Sequence, residues 1–118
     1  MKTFTVLSAV LSLILMAGGA LAHSKTNMTL PADGSVLQAA PDALEMTFDK
    51  GMRLTRIVVV DDNGAEFDLD LGGLGGFLTE MSVQMPDLGA GAFVIQWRGL
   101  SIDGHAMQDD IRFRVTGE

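Results

Sequence analysis

The feature that most constrains this chain is a two-residue alternation of apolar and polar side chains, interrupted by turn signals at short intervals. Leu44, Met46 and Phe48 alternate with Glu45 and Thr47. Phe67, Leu69 and Leu71 alternate with acidic residues, and Met81, Val83 and Met85 repeat the pattern before Pro86. Phe93, Ile95 and Trp97 share one side of a segment whose other side carries Gln96 and Arg98. Ile111, Phe113 and Val115 form a last apolar face, with Arg112 and Arg114 opposite. A period of two belongs to strands, since successive side chains point to opposite faces. Ile57–Val60 is a β-branched run that leads into Asp61-Asp62-Asn63-Gly64, a hairpin turn signal. The pattern predicts six or seven short strands, no helix, and a two-sheet antiparallel sandwich.

Pro31-Ala32-Asp33-Gly34-Ser35 and Ala40-Pro41-Asp42 read as loops between the first strands. Gly72-Gly73-Leu74-Gly75-Gly76 lacks the Gly-Lys-Ser/Thr of a phosphate loop and reads as a flexible connector. Asp61-Asp62-Asn63-Gly64 has neither the spacing nor the closing glutamate of a calcium loop.

The first residues differ from the rest. Lys2 precedes an apolar run from Phe4 to Leu15, broken only by Thr5, Ser8 and Ser12, and Ala20-Leu21-Ala22 follows. This is the layout of a cleaved secretory signal over residues 1–22, too short to span a bilayer. The mature domain is then expected to be residues 23–118, one exported domain with one modest core. Of the eight Lys and Arg residues only Lys2 precedes residue 23, and no acidic residue does. The remainder therefore carries 15 acidic against 7 basic side chains, a formal net of −8. Such a balance argues against nucleic acid and anionic lipid as partners. The absence of cysteine excludes disulfides and thiolate metal sites.

Only two histidines occur, and their positions carry the chemical information. His23 follows the expected cleavage point, so its α-amine and its imidazole can chelate one ion. The second histidine lies in Asp103-Gly104-His105. In an extended segment residues two apart face the same way, so the Asp103 carboxylate and the His105 imidazole can converge. Three nitrogens and one oxygen suit Cu(II) or Ni(II), with copper favoured by the Irving–Williams order. Met46, Met81 and Met85 fit core positions. Met107, nearest in sequence to His105, is a thioether that either packs or touches copper. Trp97 reads as a core residue, and Arg98 either orients Asp103 or lies free on the surface.

The opening His23-Ser24-Lys25, then Pro31-Ala32-Asp33-Gly34-Ser35, and Ala40-Pro41 leading to Phe48, resemble the CopC family of periplasmic copper-resistance proteins. Trp97-Arg98-Gly99-Leu100-Ser101-Ile102-Asp103-Gly104-His105 is similar to that family's W-R-x-x-S-x-D-G-H signature. The resemblance spans the mature chain. It implies an all-β, immunoglobulin-like Greek-key sandwich of about seven strands, located in the periplasm. It also implies one Cu(II) per chain, held by His23 through amine and imidazole, by Asp103 and by His105. The role implied is non-enzymatic: copper sequestration, homeostasis or resistance, or delivery to an inner-membrane CopD-like copper transporter. The chain would act as a monomer, with no membrane insertion of its mature part. Two departures stand out. Ala106 replaces the family's usual proline after the histidine, and Lys50, beside Asp49, stands where many members have an acidic residue.

Two other classes of function compete. A copper ion on a terminal histidine resembles the histidine-brace site of copper-dependent oxidative enzymes. That site uses two histidines without a carboxylate and a broad, often aromatic substrate face, whereas most aromatic residues here alternate inward. The other is a metal-free immunoglobulin-like adhesion module in which both histidines are incidental.

Overall fold

In a computed structural model, the structure describes residues 27–118. The expected signal segment and His23 lie outside them. Seven strands follow in order: β1 (Asn27–Leu30), β2 (Ser35–Leu37), β3 (Ala43–Asp61), β4 (Glu66–Asp68), β5 (Leu78–Gln84), β6 (Gly91–Ser101) and β7 (Ala106–Val115). No helix occurs among the described residues, as the alternation predicts.

Strand β3 organises the fold because it serves two sheets. Its first half, Ala43–Thr47, pairs with β1 on one side and β5 on the other. Its second half, Met52–Asp61, pairs with β6, and Val58–Val60 pair with β4 on the opposite edge. The register against β5 shifts between Thr47 and Met52, where the strand turns the corner between sheets. The larger sheet continues through β7 to β2. The inner faces enclose one core, in which Leu44, Met46, Ile57, Val59 and Ile95 are almost fully inaccessible. Phe48 from the smaller sheet meets Trp97 from the larger one edge-on, with ring centroids 5.5 Å apart. Such pairs add roughly 0.5–1.5 kcal/mol beyond area burial. Met46, Met81 and Met85 are buried, as their phase requires.

The sandwich expected from the alternation is present, with two corrections. The edge strand β2 runs parallel to β7, so the larger sheet is mixed rather than wholly antiparallel. Leaving β1, the chain crosses to the far edge of the other sheet, where no hairpin dictates direction. Contacts at the crossing seat it: Gly34 N–H donates to the Arg112 carbonyl at 2.6 Å, and Asp33 Oδ1 accepts Arg112 N–H at 2.8 Å. Secondly, the alternation at Phe67, Leu69 and Leu71 does not extend a strand. Pairing stops at Asp68, and Leu69 and Leu71 pack from a loop. The Asp61–Gly64 segment is the predicted hairpin turn, with Asp61 Oδ1 accepting the N–H groups of Asn63 and Ala65. Among the described residues, no helix is long and apolar enough to cross a membrane.

Candidate metal centre

Sequence places Asp103 and His105 two residues apart, and the fold brings them together by a turn rather than by an extended strand. Strand β6 ends at Ser101 and β7 begins at Ala106. Between them Ser101 N–H donates to the His105 carbonyl and Gly104 N–H to the Ser101 carbonyl, both at 2.8 Å. Gly104 sits at φ +95°, a conformation that residues with a side chain adopt only under strain. The tight turn leaves Asp103 Oδ1 3.3 Å from His105 Nδ1. Two donors bound cis to one ion at about 2.0–2.2 Å lie roughly 3 Å apart, so this pair fits adjacent positions on a single metal. The His105 ring is open to solvent, its side chain 76% exposed.

Asp103 is held by two further groups. The Ser101 hydroxyl donates to its Oδ1, and Asp103 N–H in turn reaches Ser101 Oγ at 3.3 Å. Lys50 Nζ lies 3.5 Å from Oδ2. The Ser101 hydrogen bond is the main cause that lowers the Asp103 pKa below the ordinary carboxylate value, with smaller contributions from His105 and Lys50. The carboxylate therefore stays ionised, and available as a hard oxygen donor, to lower pH than an ordinary aspartate. Ser101 itself is the one buried polar residue among the described residues, 6% exposed.

These groups line a shallow pocket of about 260 Å³ at the end of the sandwich. Asn27, Phe48, Asp49, Lys50, Met52 and Met107 complete its wall. Lys50 arrives from the corner of β3, fifty-three residues away from Asp103 in sequence. Arg98 does not orient Asp103. It pairs across the strands with Arg56 and Gln108, on the outer face of the larger sheet, so the surface reading of this residue holds. Trp97 is in the core, as expected. Of the three predicted ligands, Asp103 and His105 converge and His23 lies outside the described residues. No group of three or more His, Cys, Asp or Glu side chains comes together among the described residues.

The sequence reading missed Ser101; the family resemblance put Lys50 at a position near the copper, but its ion pair with Asp103 was not foreseen. Ser101 could have been found by its spacing, two before Asp103 on a strand with inward parity. The Lys50 contact had no local signal.

A family model for the CopC domain matches residues 26–116. Among solved structures, the chain is similar to CopC from Methylosinus trichosporium OB3b, at 22% identity and a TM-score of 0.58, covering 76% of this chain and 93% of that one. It is also similar to PcoC, a copper resistance protein from Escherichia coli, at 19% identity and a TM-score of 0.51, covering 78% of this chain and 99% of that one. At such identities the structural likeness speaks for the sandwich fold. No curated protein sequence matches the chain.

Proposed function

The chain belongs to the CopC family of copper-resistance proteins, and on that premise we propose that it binds one Cu(II) in the periplasm, through His23, Asp103 and His105, for sequestration or for delivery to a CopD-like membrane transporter. The observation that carries this reading is the 3.3 Å approach of Asp103 Oδ1 to His105 Nδ1 on an open pocket that Asn27 also lines. His23 is four residues upstream of Asn27. Four extended residues reach about 13 Å, enough to bring a terminal amine and imidazole to the same pocket. The resulting set of three nitrogens and one carboxylate oxygen suits tetragonal Cu(II). A carboxylate ligand disfavours the Cu(I) state that activates oxygen, which supports a binding protein rather than an oxidative enzyme.

The test uses protein exported to the periplasm. Mass spectrometry of the purified chain should give His23 as its first residue. The same sample should take up one Cu(II) with a tetragonal, nitrogen-rich paramagnetic resonance spectrum. A chain retaining one residue before His23 should lose the amine chelate and bind copper far more weakly. Equal affinity in the two forms refutes the terminal amine as a ligand, and an unchanged spectrum in Asp103→Ala removes the carboxylate from the set.

A further inference from the structure

The outer face of the larger sheet collects the basic side chains of a strongly acidic chain. Five of the six Lys and Arg residues between positions 27 and 118 lie on it: Arg53, Arg56, Arg98, Arg112 and Arg114. Their neighbours along the strands, Leu54, Ile57, Trp97, Ile111 and Phe113, are buried on the inner face. In the middle of this basic face Arg56 and Arg98 stand directly opposite each other on β3 and β6. Like charges in that relation destabilise a sheet. Arg56 is partly compensated, with Nε 3.1 Å from Asp68 Oδ1 and Nη2 4.0 Å from Glu66 Oε1. Arg98 makes no ion pair among the described residues.

Both arginines line a shallow concavity of about 400 Å³, to which Gln96 and Gln108 also contribute. Two carboxylates reach its rim, and both are engaged: Asp110 Oδ2 lies 3.6 Å from Arg112 Nη2, and Asp109 Oδ1 accepts the Asp110 N–H at 2.8 Å. Val58 forms the floor. It points outward, opposite Gln96 and Asp68, yet is 4% exposed and stands outside the core cluster. The long side chains of this face therefore fold over it instead of extending into solvent, giving the hollow an apolar floor and polar walls. We propose that this hollow binds a carboxylate, held by the Arg98 guanidinium fork, with Arg56 as a second cation and the Gln96 and Gln108 amides as further donors. A planar carboxylate matches that fork in a bidentate manner. Seated between the arginines, it replaces their mutual repulsion by two attractions. The carboxylate belongs either to a free small acid or to an acidic side chain of a protein partner. The hollow shares no residue with the pocket of Asp103 and His105, so the proposal is independent of the copper reading.

The experiment titrates nitrogen-15-labelled exported protein with sodium succinate and, separately, with a hexaglutamate peptide. It follows the arginine Nε–H and glutamine side-chain amide resonances by NMR. Ionic strength is held constant, so that changes in screening do not mimic binding. At least one probe should shift the Arg56, Arg98 and Gln96 signals saturably. Arg98→Gln should weaken that binding about tenfold or more, the effect of losing a charged hydrogen-bonding partner, while its thermal midpoint stays that of wild type. Arg98→Lys keeps the charge but not the fork, and should also bind more weakly than wild type. Saturation by hexaglutamate at the lower concentration of carboxylate groups supports the site and assigns it to an acidic segment of a partner. Saturation by succinate at the lower concentration supports it and assigns it to a free acid. No saturable shift with either probe, or unchanged binding in Arg98→Gln, overturns the proposal. Wild-type binding in Arg98→Lys overturns it too, since only unspecific attraction to a basic face would then remain.

Discussion

Lys50 is the residue whose replacement should strengthen copper binding. Its ammonium group lies 3.5 Å from Asp103 Oδ2, on the side of the carboxylate away from the Oδ1 that faces His105. An ion bound at Oδ1 would lie roughly 6 Å from Nζ. At that distance a unit charge repels Cu(II) by about 1.4 kcal/mol in water, or about half that after screening at physiological salt. Lys50→Gln should remove this repulsion. The substitution should not cost the carboxylate its charge, because an exposed aspartate is ionised at neutral pH without help from Lys50. The lost ion pair is exposed and worth little to stability. Cu(II) affinity should therefore rise about threefold at physiological salt and about tenfold at low salt, the gain shrinking as salt is added. Competition with a chelator at two ionic strengths measures it. Equal or lower affinity at low salt refutes the reasoning and would mean that Lys50 holds Asp103 in its binding orientation.

Other expectations are more direct. Cu(II) binding needs a neutral amine and neutral imidazoles, so protons compete with the ion and affinity should fall as pH drops. With its pKa lowered, the Asp103 carboxyl takes up its proton only at still lower pH and adds nothing to that loss, and unchanged affinity down to about pH 4 contradicts the ligand set. Ser101→Ala removes the hydroxyl that orients Asp103, and should weaken Cu(II) binding about 10–100-fold, measured by the same competition. Gly99→Ala would place a methyl group 2.9 Å from Met52 Sδ and 3.0 Å from the Arg53 carbonyl oxygen. The backbone oxygen cannot step aside, so about 1–3 kcal/mol of stability should be lost. Thermal unfolding should show a drop of roughly 4–8 °C for each kcal/mol, and an unchanged midpoint argues against the close packing.

What the sequence showed and what it concealed divide along a physical line. Phe93, Ile95 and Trp97, or Ile111, Phe113 and Val115, declare their strand and its inward face because a period of two is local information. Asp103 and His105 declare themselves as a pair because only Gly104 separates them, although a glycine turn, not a strand, makes them meet. Lys50 and Met52 do not, since their place beside this turn depends on where β3 bends between sheets. Nothing within a few residues of Lys50 encodes its meeting with Asp103. The direction of β2 was hidden for a related reason. Three residues carry too little pattern to choose a partner, and the choice is made by the loop contacts at Asp33 and Gly34.

The site also divides between parts that the fold fixes and a part it does not. Asp103 and His105 are set by a hydrogen-bonded turn between two long paired strands, so the fold itself holds their spacing. Two donors alone cannot close a tetragonal set on Cu(II). On the copper reading the missing nitrogens come from His23, and its amine exists as a donor only once the preceding peptide bond is cut. Copper affinity would then be withheld from the unprocessed chain and conferred by export, without any change in the sandwich. The same division explains why Lys50 can be tolerated at the pocket. An ammonium group beside a two-donor half-site would repel weakly held copper, but against a chelating terminus its penalty of about 1 kcal/mol is small.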